Sequence, residues 1–487
     1  MLKISPTPLI QSLILGWTLV SLSAPIAAAN SQNLPNLGDY TSGIISLAEE
    51  RELGQNFLKS IRAQAPLVTD AVLQEYLELL IYRLASYSEL QDRRLDLVII
   101  DNKSLNAFAA PGGIVGINLG LFLFGETESE ISAILAHELA HLSQRHFARG
   151  TEAGKKSSLV SMAGLLAGLV LMATTGSEAG LAAITASNSY AQNNMLRYSR
   201  GRETEADRIG IETLIEAEMN PRAMAHMFER LSRASRFSGR NIPEFLRTHP
   251  VTKNRISDSY TQTERLPHKS FDSSLDFQLM RARVQVLTAN PTSDIVAQMQ
   301  EELNTTNKVK ETAARYGLAL AQSEKGQLDN SMRNITSLRY DYPDKIVFIV
   351  AEAELHIQAQ RYDSAIAVIK DALVLTPNNY PLTMTYAEAT MKAQQASEAV
   401  RVLTDVTTSR PNDKDAWYLL AEAHGLNGDT VGIHQARAEY FVLVGNYDQA
   451  IKQLGFAYPL IKNNFQQSAR IQQRIEEIFA YKTKGQH

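Results

Sequence analysis

Hydrophobic residues are distributed along the chain in distinct patterns, each predicting a different element. After a lone Lys3 comes an apolar run from Leu9 to Val20, then the small residues Ala27-Ala28-Ala29. Charged, apolar and small-residue regions in that order are what export machinery and signal peptidase read, so residues 1–29 are predicted to be a signal peptide cleaved after Ala29. The apolar run is short for a bilayer span. Further on, Leu95-Asp96-Leu97-Val98-Ile99-Ile100-Asp101 and Gly113-Ile114-Val115-Gly116-Ile117-Asn118 read as strands flanking a turn from Asn106 to Gly113. Ile131, Ile134, Leu135, Leu139 and Leu142 recur at helical spacing and give one helix a broad apolar face. Thr127-Glu128-Ser129-Glu130 precedes them with capping-box spacing, able to satisfy amides at the helix start. From about residue 270 onward the chain reads as helix after helix.

That second half repeats. Pro343, Pro377 and Pro411 stand 34 residues apart, as do the turn-tolerant positions Gly326, Gln360, Gln394 and Gly428 and the small residues Ser331, Ala365 and Ala399. A 34-residue period with a small residue in the second helix and a proline after it resembles the tetratricopeptide repeat. Each such unit is a helical hairpin that buries its apolar face only by stacking on neighbours, so a curved solenoid with a concave binding side is expected. Leu318, Ala319 and Ala321, Val350, Ala351 and Ala353, Tyr386 and Ala387, and Trp417, Leu420 and Ala421 fit first-helix packing positions. Tyr362-Asp363-Ser364-Ala365-Ile366 and Tyr447-Asp448-Gln449-Ala450-Ile451 look like equivalent second-helix starts 85 residues apart, two and a half periods, which predicts a slipped register in the last units. The segment 272–295 reads as a degenerate first repeat.

Composition narrows the chemistry. The 487 residues suffice for two to four domains, and 48 Lys+Arg against 52 Asp+Glu give no sign of nucleic acid as a partner. With no cysteine, disulfides, thiolate metal sites, thiol nucleophiles and a cysteine-linked lipid are excluded. A cysteine-free exported chain fits the periplasm. Its chemistry must use His, carboxylates, hydroxyls or amines.

The helix opened by Thr127 carries His137-Glu138-Leu139-Ala140-His141. Residues four apart leave the same side of a helix, so both imidazoles can grip one ion while Glu138 reaches a water beside it. This is the HExxH pattern, in which two His bind zinc and the Glu is general base. His146, five residues on, is expected to point elsewhere as a structural or solvated histidine. A hydrolytic zinc site needs a third protein ligand and one open position. The candidate stands 62 residues past His141 in Glu203-Thr204-Glu205-Ala206-Asp207. Glu203 and Asp207 share a helical face, and Glu205 points away. Glu203 is assigned to the metal; Asp207 is assigned to the outer N–H of a zinc histidine, with a further role in proton transfer. The competing reading of this run is a charged surface helix with i,i+4 pairs.

His137-Glu138-x-x-His141, Glu203-x-x-Ala206-Asp207 and the preceding Asn106-Ala107-Phe108-Ala109-Ala110-Pro111-Gly112-Gly113 together resemble the HtpX and CAAX prenyl protease family of zinc metallopeptidases. With the export signal and the repeats, that resemblance implies an α+β zincin-like, gluzincin-type domain, mainly helical with a small sheet, over 30–269, and an all-α tetratricopeptide solenoid over 270–487. It implies one Zn2+ per subunit and an endopeptidase with chaperone-like action on outer-membrane β-barrel proteins. Its implied clients are unfolded or stalled barrels, and its implied partner is the outer-membrane assembly machinery, reached through the repeats. The alternative is a non-proteolytic chaperone or adaptor whose metal is chiefly structural.

Two features remain. Ser157 to Ser177 carries no charge but is interrupted by serines, threonines and glycines. With Leu181 to Ser189 it is expected to form a helical hairpin over 157–189 that covers the cleft or touches membrane or apolar client. Pro250 favours an extended or turn geometry for His249, so that ring is expected to project from a loop. In the family this His matches a residue that can cap the metal, implying a fourth ligand or latency switch; the competing roles are an oxyanion donor and an ordinary loop histidine.

Overall fold

The structure, a computed structural model, describes residues 45–152, 168, 170, 192–237, 243–267, 269–271 and 274–484. The expected signal peptide lies outside them, as does the 157–189 hairpin except for Gly168 and Val170. The described chain is mainly helical with one small sheet, an α+β part followed by helical repeats, as expected. No helix among the described residues is long and apolar enough to cross a membrane.

The α+β part opens with α1 (Leu47–Gln64), held by a complete capping box between Ser46 and Glu49, and α2 (Ala71–Ser86), capped by Asp70. Three strands follow: β1 (Asp96–Ile100), β2 (Ala107–Ala110) and β3 (Ile114–Asn118). β3 is central, parallel to β1 and antiparallel to β2. Half of the expected turn over 106–113 is therefore a strand. Only Pro111-Gly112-Gly113 turns, with φ of +77° and +82° at the glycines, a conformation L side chains rarely adopt. The short α3 (Gly120–Phe124) leads to α4 (Glu128–Ser143), whose residues 130–140 are all buried. Thr127 caps α4 as its spacing predicts, while the Glu130 carboxylate reaches back to the amide of Glu126 at 2.7 Å. After α5 (His146–Glu152), α6 (Gln192–Glu216) crosses α4 so closely that a Cβ on Gly210 would lie 3.1 Å from the His137 amide nitrogen. α7 (Ala223–Phe237), α8 (Glu244–Thr248) and α9 (Lys253–Glu264) complete this part.

α10 (Leu275–Leu287) joins the two parts: the Phe277 ring stacks on Phe122 of α3, with centroids 6.0 Å apart. α11 (Ile295–Glu302) follows, and then five helical hairpins: α12 (Lys308–Glu324) with α13 (Leu328–Asp341), α14 (Ile346–Gln358) with α15 (Tyr362–Leu375), α16 (Tyr380–Lys392) with α17 (Ala396–Ser409), α18 (Lys414–Leu426) with α19 (Thr430–Leu443), and α20 (Tyr447–Ile461) with α21 (Phe465–Lys484). The first helix of each of the four leading hairpins ends at one of the repeating turn positions, all left-handed: Gly326 at φ +72°, Gln360 at +58°, Gln394 at +60° and Gly428 at +72°. Ser331, Ala365 and Ala399 are buried in the second helices. The register slips by one residue only, the first helices starting at Ile346, Tyr380, Lys414 and Tyr447. Tyr362 opens a second helix and Tyr447 a first one, so their similar strings are not equivalent; an offset of two and a half periods exchanges the two helix types. One apolar core runs unbroken from Val72 and Leu73 through α4 into the repeats.

Polar contacts join α1 and the start and face of α2 to α10 and to the third and fifth hairpins. Asp70 pairs with Arg283 at 2.6 Å, Glu75 accepts from Asn379 at 2.9 Å, Glu78 pairs with Arg410 at 2.6 Å, and Lys59 donates to the Tyr447 hydroxyl at 2.9 Å. Between these contacts lies a cleft of about 990 Å³, bounded by β1 on one side and by α14, α16 and α18 on the other.

Candidate metal centre

Four side chains from three separated stretches meet beside β2. His137 and His141 project from one side of α4, Glu203 from α6, and His249 from the residue that ends α8; one ligand atom of each lies within 4.8 Å of all the others. The imidazole Nε2 atoms of His137 and His141 are 3.0 Å apart, and each is 3.5 Å from a Glu203 carboxylate oxygen. His249 Nδ1 lies 3.3 Å from His137 Nε2 and 3.1 Å from Glu203 Oε2. Ligands at zinc's usual 2.0–2.1 Å in a tetrahedron stand roughly 3.3 Å from one another. Nitrogen and carboxylate donors at these separations fit zinc.

The electrostatics suit a cation. Burial, reinforced by the nearby His137 and His249, holds His141 well below the ordinary histidine range, and a neutral imidazole is what a metal requires. Burial alone would lower His137 too, but hydrogen bonding to Asp207 and Glu203 raises it to about 9. Burial works against ionised Glu203; the neighbouring His249 and His137 outweigh it and keep the carboxylate charged.

Glu138 is fully buried behind the cluster. Its Oε2 accepts the amide of Ala109 in β2 at 2.9 Å, so that amide points away from β3 and the outer edge of β2 opens onto the metal position. Its Oε1 accepts no hydrogen bond among the described residues and faces His249 Nε2 at 3.4 Å. Burial raises its pKa, the direction a general base needs.

Sequence reasoning missed two parts of the site. Arg255, on α9, donates to both oxygens of Asp207, approaches Glu203 at 3.1 Å and donates to the Pro250 carbonyl at 2.9 Å, so one guanidinium braces both acids and the chain beside His249. Asp207 Oδ1 in turn lies 2.9 Å from His137 Nδ1. Burial would raise Asp207, but the Arg255 and His137 hydrogen bonds override it and keep the acid ionised. His146 and Glu205 were expected to point elsewhere. Instead, His146 Nδ1 lies 2.9 Å from His141 Nδ1, and its Nε2 is 3.0 Å from Glu205 Oε2. The expectation assumed a continuous helix; α4 stops at Ser143, and Arg145 turns the chain at φ +48°.

Residues 71–260 match the model of peptidase family M48, and residues 356–423 match a tetratricopeptide repeat model. The chain is 30% identical over 470 residues to the beta-barrel assembly-enhancing protease of Escherichia coli K12, with 96% of each chain covered. It is 32% identical over 471 residues to a putative beta-barrel assembly-enhancing protease of Vibrio cholerae, covering 95% of this chain and 96% of that one. The mitochondrial metalloendopeptidase OMA1 of Schizosaccharomyces pombe is 28% identical over 221 residues, 44% of this chain and 60% of the relative.

Proposed function

The chain belongs to the M48 metalloendopeptidases, alongside the beta-barrel assembly-enhancing proteases it matches over nearly its whole length, and from that premise we propose that it is a periplasmic zinc endopeptidase that promotes assembly of outer-membrane β-barrel proteins and degrades misassembled ones. The observation carrying the zinc reading is the tetrahedron-like spacing of His137, His141, Glu203 and His249 beside a buried carboxylate. The names of the relatives and the repeats support the barrel-assembly role.

In this reading His137, His141 and Glu203 hold the ion. Zinc bound there supplies Lewis acidity to the scissile carbonyl and the attacking water. Glu138 takes the water proton and delivers it to the leaving amine. The outer edge of β2 pairs with an extended substrate main chain, binding clients with little demand on their side chains. We assign Asp207 to orienting His137 rather than to proton transfer, because Arg255 and His137 already engage both its oxygens. His249 stands where it keeps the site latent, its Nδ1 beside the ligand cluster and its Nε2 facing the general base. The concave side of the solenoid, facing the cleft, is the proposed surface for clients or assembly machinery.

The test is metal analysis of the purified mature chain together with cleavage of casein and an unfolded barrel protein. One zinc per chain and cleavage abolished by Glu138→Gln are expected; a metal-free chain that still cleaves overturns the assignment. Periplasmic release by osmotic shock, with a mature N-terminus at Asn30, tests the location.

A further inference from the structure

Both proposed zinc histidines turn Nε2 toward the metal position, so each has an outward Nδ1 that must carry the proton. A zinc-binding imidazole is held in that tautomer when its outer N–H has an acceptor, as Asp207 provides for His137. For His141 the described residues offer no carboxylate at that place. They offer another imidazole: His146 Nδ1 at 2.9 Å, with the two rings at 73° and centroids 4.9 Å apart.

A nitrogen–nitrogen contact of this length needs one donor and one acceptor. The next contact settles which is which. Glu205 Oε2, 3.0 Å from His146 Nε2, is a carboxylate oxygen and accepts, so His146 carries its proton on Nε2 and presents the Nδ1 lone pair. His141 then donates from Nδ1, leaving Nε2 free to bind metal. In the reverse assignment His146 donates from Nδ1 and the His141 proton moves to Nε2, where it takes the lone pair from the ion.

The backbone is arranged to make this contact. Arg145 adopts φ +48°, unusual for a residue with a side chain, and is anchored there by hydrogen bonds to the Ile45 carbonyl at 2.7 Å and to Glu50 at 3.2 Å. That turn starts α5 at His146 and brings its ring back over the end of α4. Arg202 donates to the His146 carbonyl at 2.9 Å, and Arg149 lies 3.4 Å from Glu205.

We propose that His146 and Glu205 are positioning residues that fix the tautomer and ring orientation of His141 for metal binding, a carboxylate–histidine–histidine chain parallel to the Arg255–Asp207–His137 chain on the other ligand. The inference rests on the zinc reading above. Its test is zinc affinity of the full mature chain, measured by competition with a chromophoric chelator, together with the visible spectrum of the Co2+-loaded protein. His146→Ala is expected to weaken zinc binding about 10- to 100-fold and to alter the Co2+ bands. Glu205→Ala should do the same to a smaller degree, while Glu205→Gln, which keeps an acceptor oxygen, should stay near the wild type. Wild-type zinc affinity within twofold in both alanine variants overturns the proposal. If His146→Ala does not fold, Glu205→Ala decides alone, because that side chain is 31% exposed and its loss leaves no buried gap. A wild-type chain that binds no zinc overturns the metal assignment itself and this inference with it.

Discussion

The Arg255 guanidinium grips the Asp207 carboxylate with two nitrogens, Nε 2.6 Å from Oδ2 and Nη2 2.7 Å from Oδ1. Both partners are buried, and the acid's remaining contact is the outer nitrogen of His137. A lysine has no planar fork to reproduce this geometry. Arg255→Lys and Asp207→Asn are each expected to weaken zinc binding by about 10- to 100-fold, read by chelator competition. Asp207→Asn should also lower the unfolding midpoint, since it leaves the buried Arg255 charge without its partner, a loss of about 3–5 kcal/mol.

Glu138 offers the cleanest separation of catalysis from metal binding. It lies beside the proposed ligands without being one, and its buried carboxylate is hydrogen-bonded to Ala109 of β2. Glu138→Gln is expected to retain one zinc per chain and lose about 100- to 10,000-fold in peptidase turnover. Cleavage at the wild-type rate with zinc bound would remove Glu138 from the role of base, whereas full function with no proteolysis would return the metal to a structural role.

What could be read in the sequence was what regular periodicity encodes. His137 and His141 are one helical turn apart, as are Glu203 and Asp207, so a single rule placed each pair on one face. The repeats were equally legible, because a 34-residue period recurs whatever the side chains between. Arg255 escaped notice since it lies 48 residues from Asp207 and nothing local marks it as a partner. His146 was misread because a left-handed residue, Arg145, breaks the helix whose period the reading extended. β2 was hidden for a related reason: Ala-Phe-Ala-Ala is short and weakly strand-forming, and the adjoining Pro-Gly-Gly draws the eye to a turn. The register misreading at Tyr447 shows that a five-residue likeness does not distinguish first from second helices.

The repeat turns can be tested without touching the site. Gly326 and Gly428 both sit at φ +72°, and a Cβ added at either meets nothing within 4 Å. Any cost of alanine there is backbone strain alone. Gly326→Ala and Gly428→Ala are each expected to destabilise the protein by about 1–2 kcal/mol, measured by denaturant midpoint. Gln360→Gly and Gln394→Gly, at φ +58° and +60°, relieve the same strain but add freedom to the unfolded chain, so they should change stability by less than about 1 kcal/mol.

Glu244, at the start of α8, gives a pH dependence of known sign. Burial raises its carboxyl from 4.5 to about 7, against the opposing pull of Arg247 and a hydrogen bond with Asn118. The folded state therefore holds this proton more tightly than the unfolded chain does. Its contribution is fully present below about pH 4.5 and is lost as pH rises through 7, a decline on the order of 3 kcal/mol for this buried group. Glu244→Gln mimics the protonated acid at every pH. The variant should match the wild type near pH 5 and exceed it at pH 8; equal stability at both pH values would refute the shift.

The proposed latency turns on the place of His249. Its Nδ1 lies 3.3 Å from His137 Nε2 and 3.1 Å from Glu203 Oε2, the separations expected of a fourth ligand, while its Nε2 faces Glu138 at 3.4 Å. One ring thus occupies both the open ligand position and the approach to the base. The ring is held at the end of the five-residue α8 by stacking on Phe245, with centroids 4.8 Å apart, and the Arg255 contact with the Pro250 carbonyl braces the next residue. Under the proposed latency, a substrate displaces this arrangement before its carbonyl reaches the site. His249→Ala removes the blocking ring while leaving His137, His141 and Glu203 in place. Peptidase turnover on casein is expected to rise several-fold, with one zinc per chain still bound. If turnover is unchanged or lower while zinc is retained, the ring does not block the resting site, and a role as oxyanion donor would account for a loss.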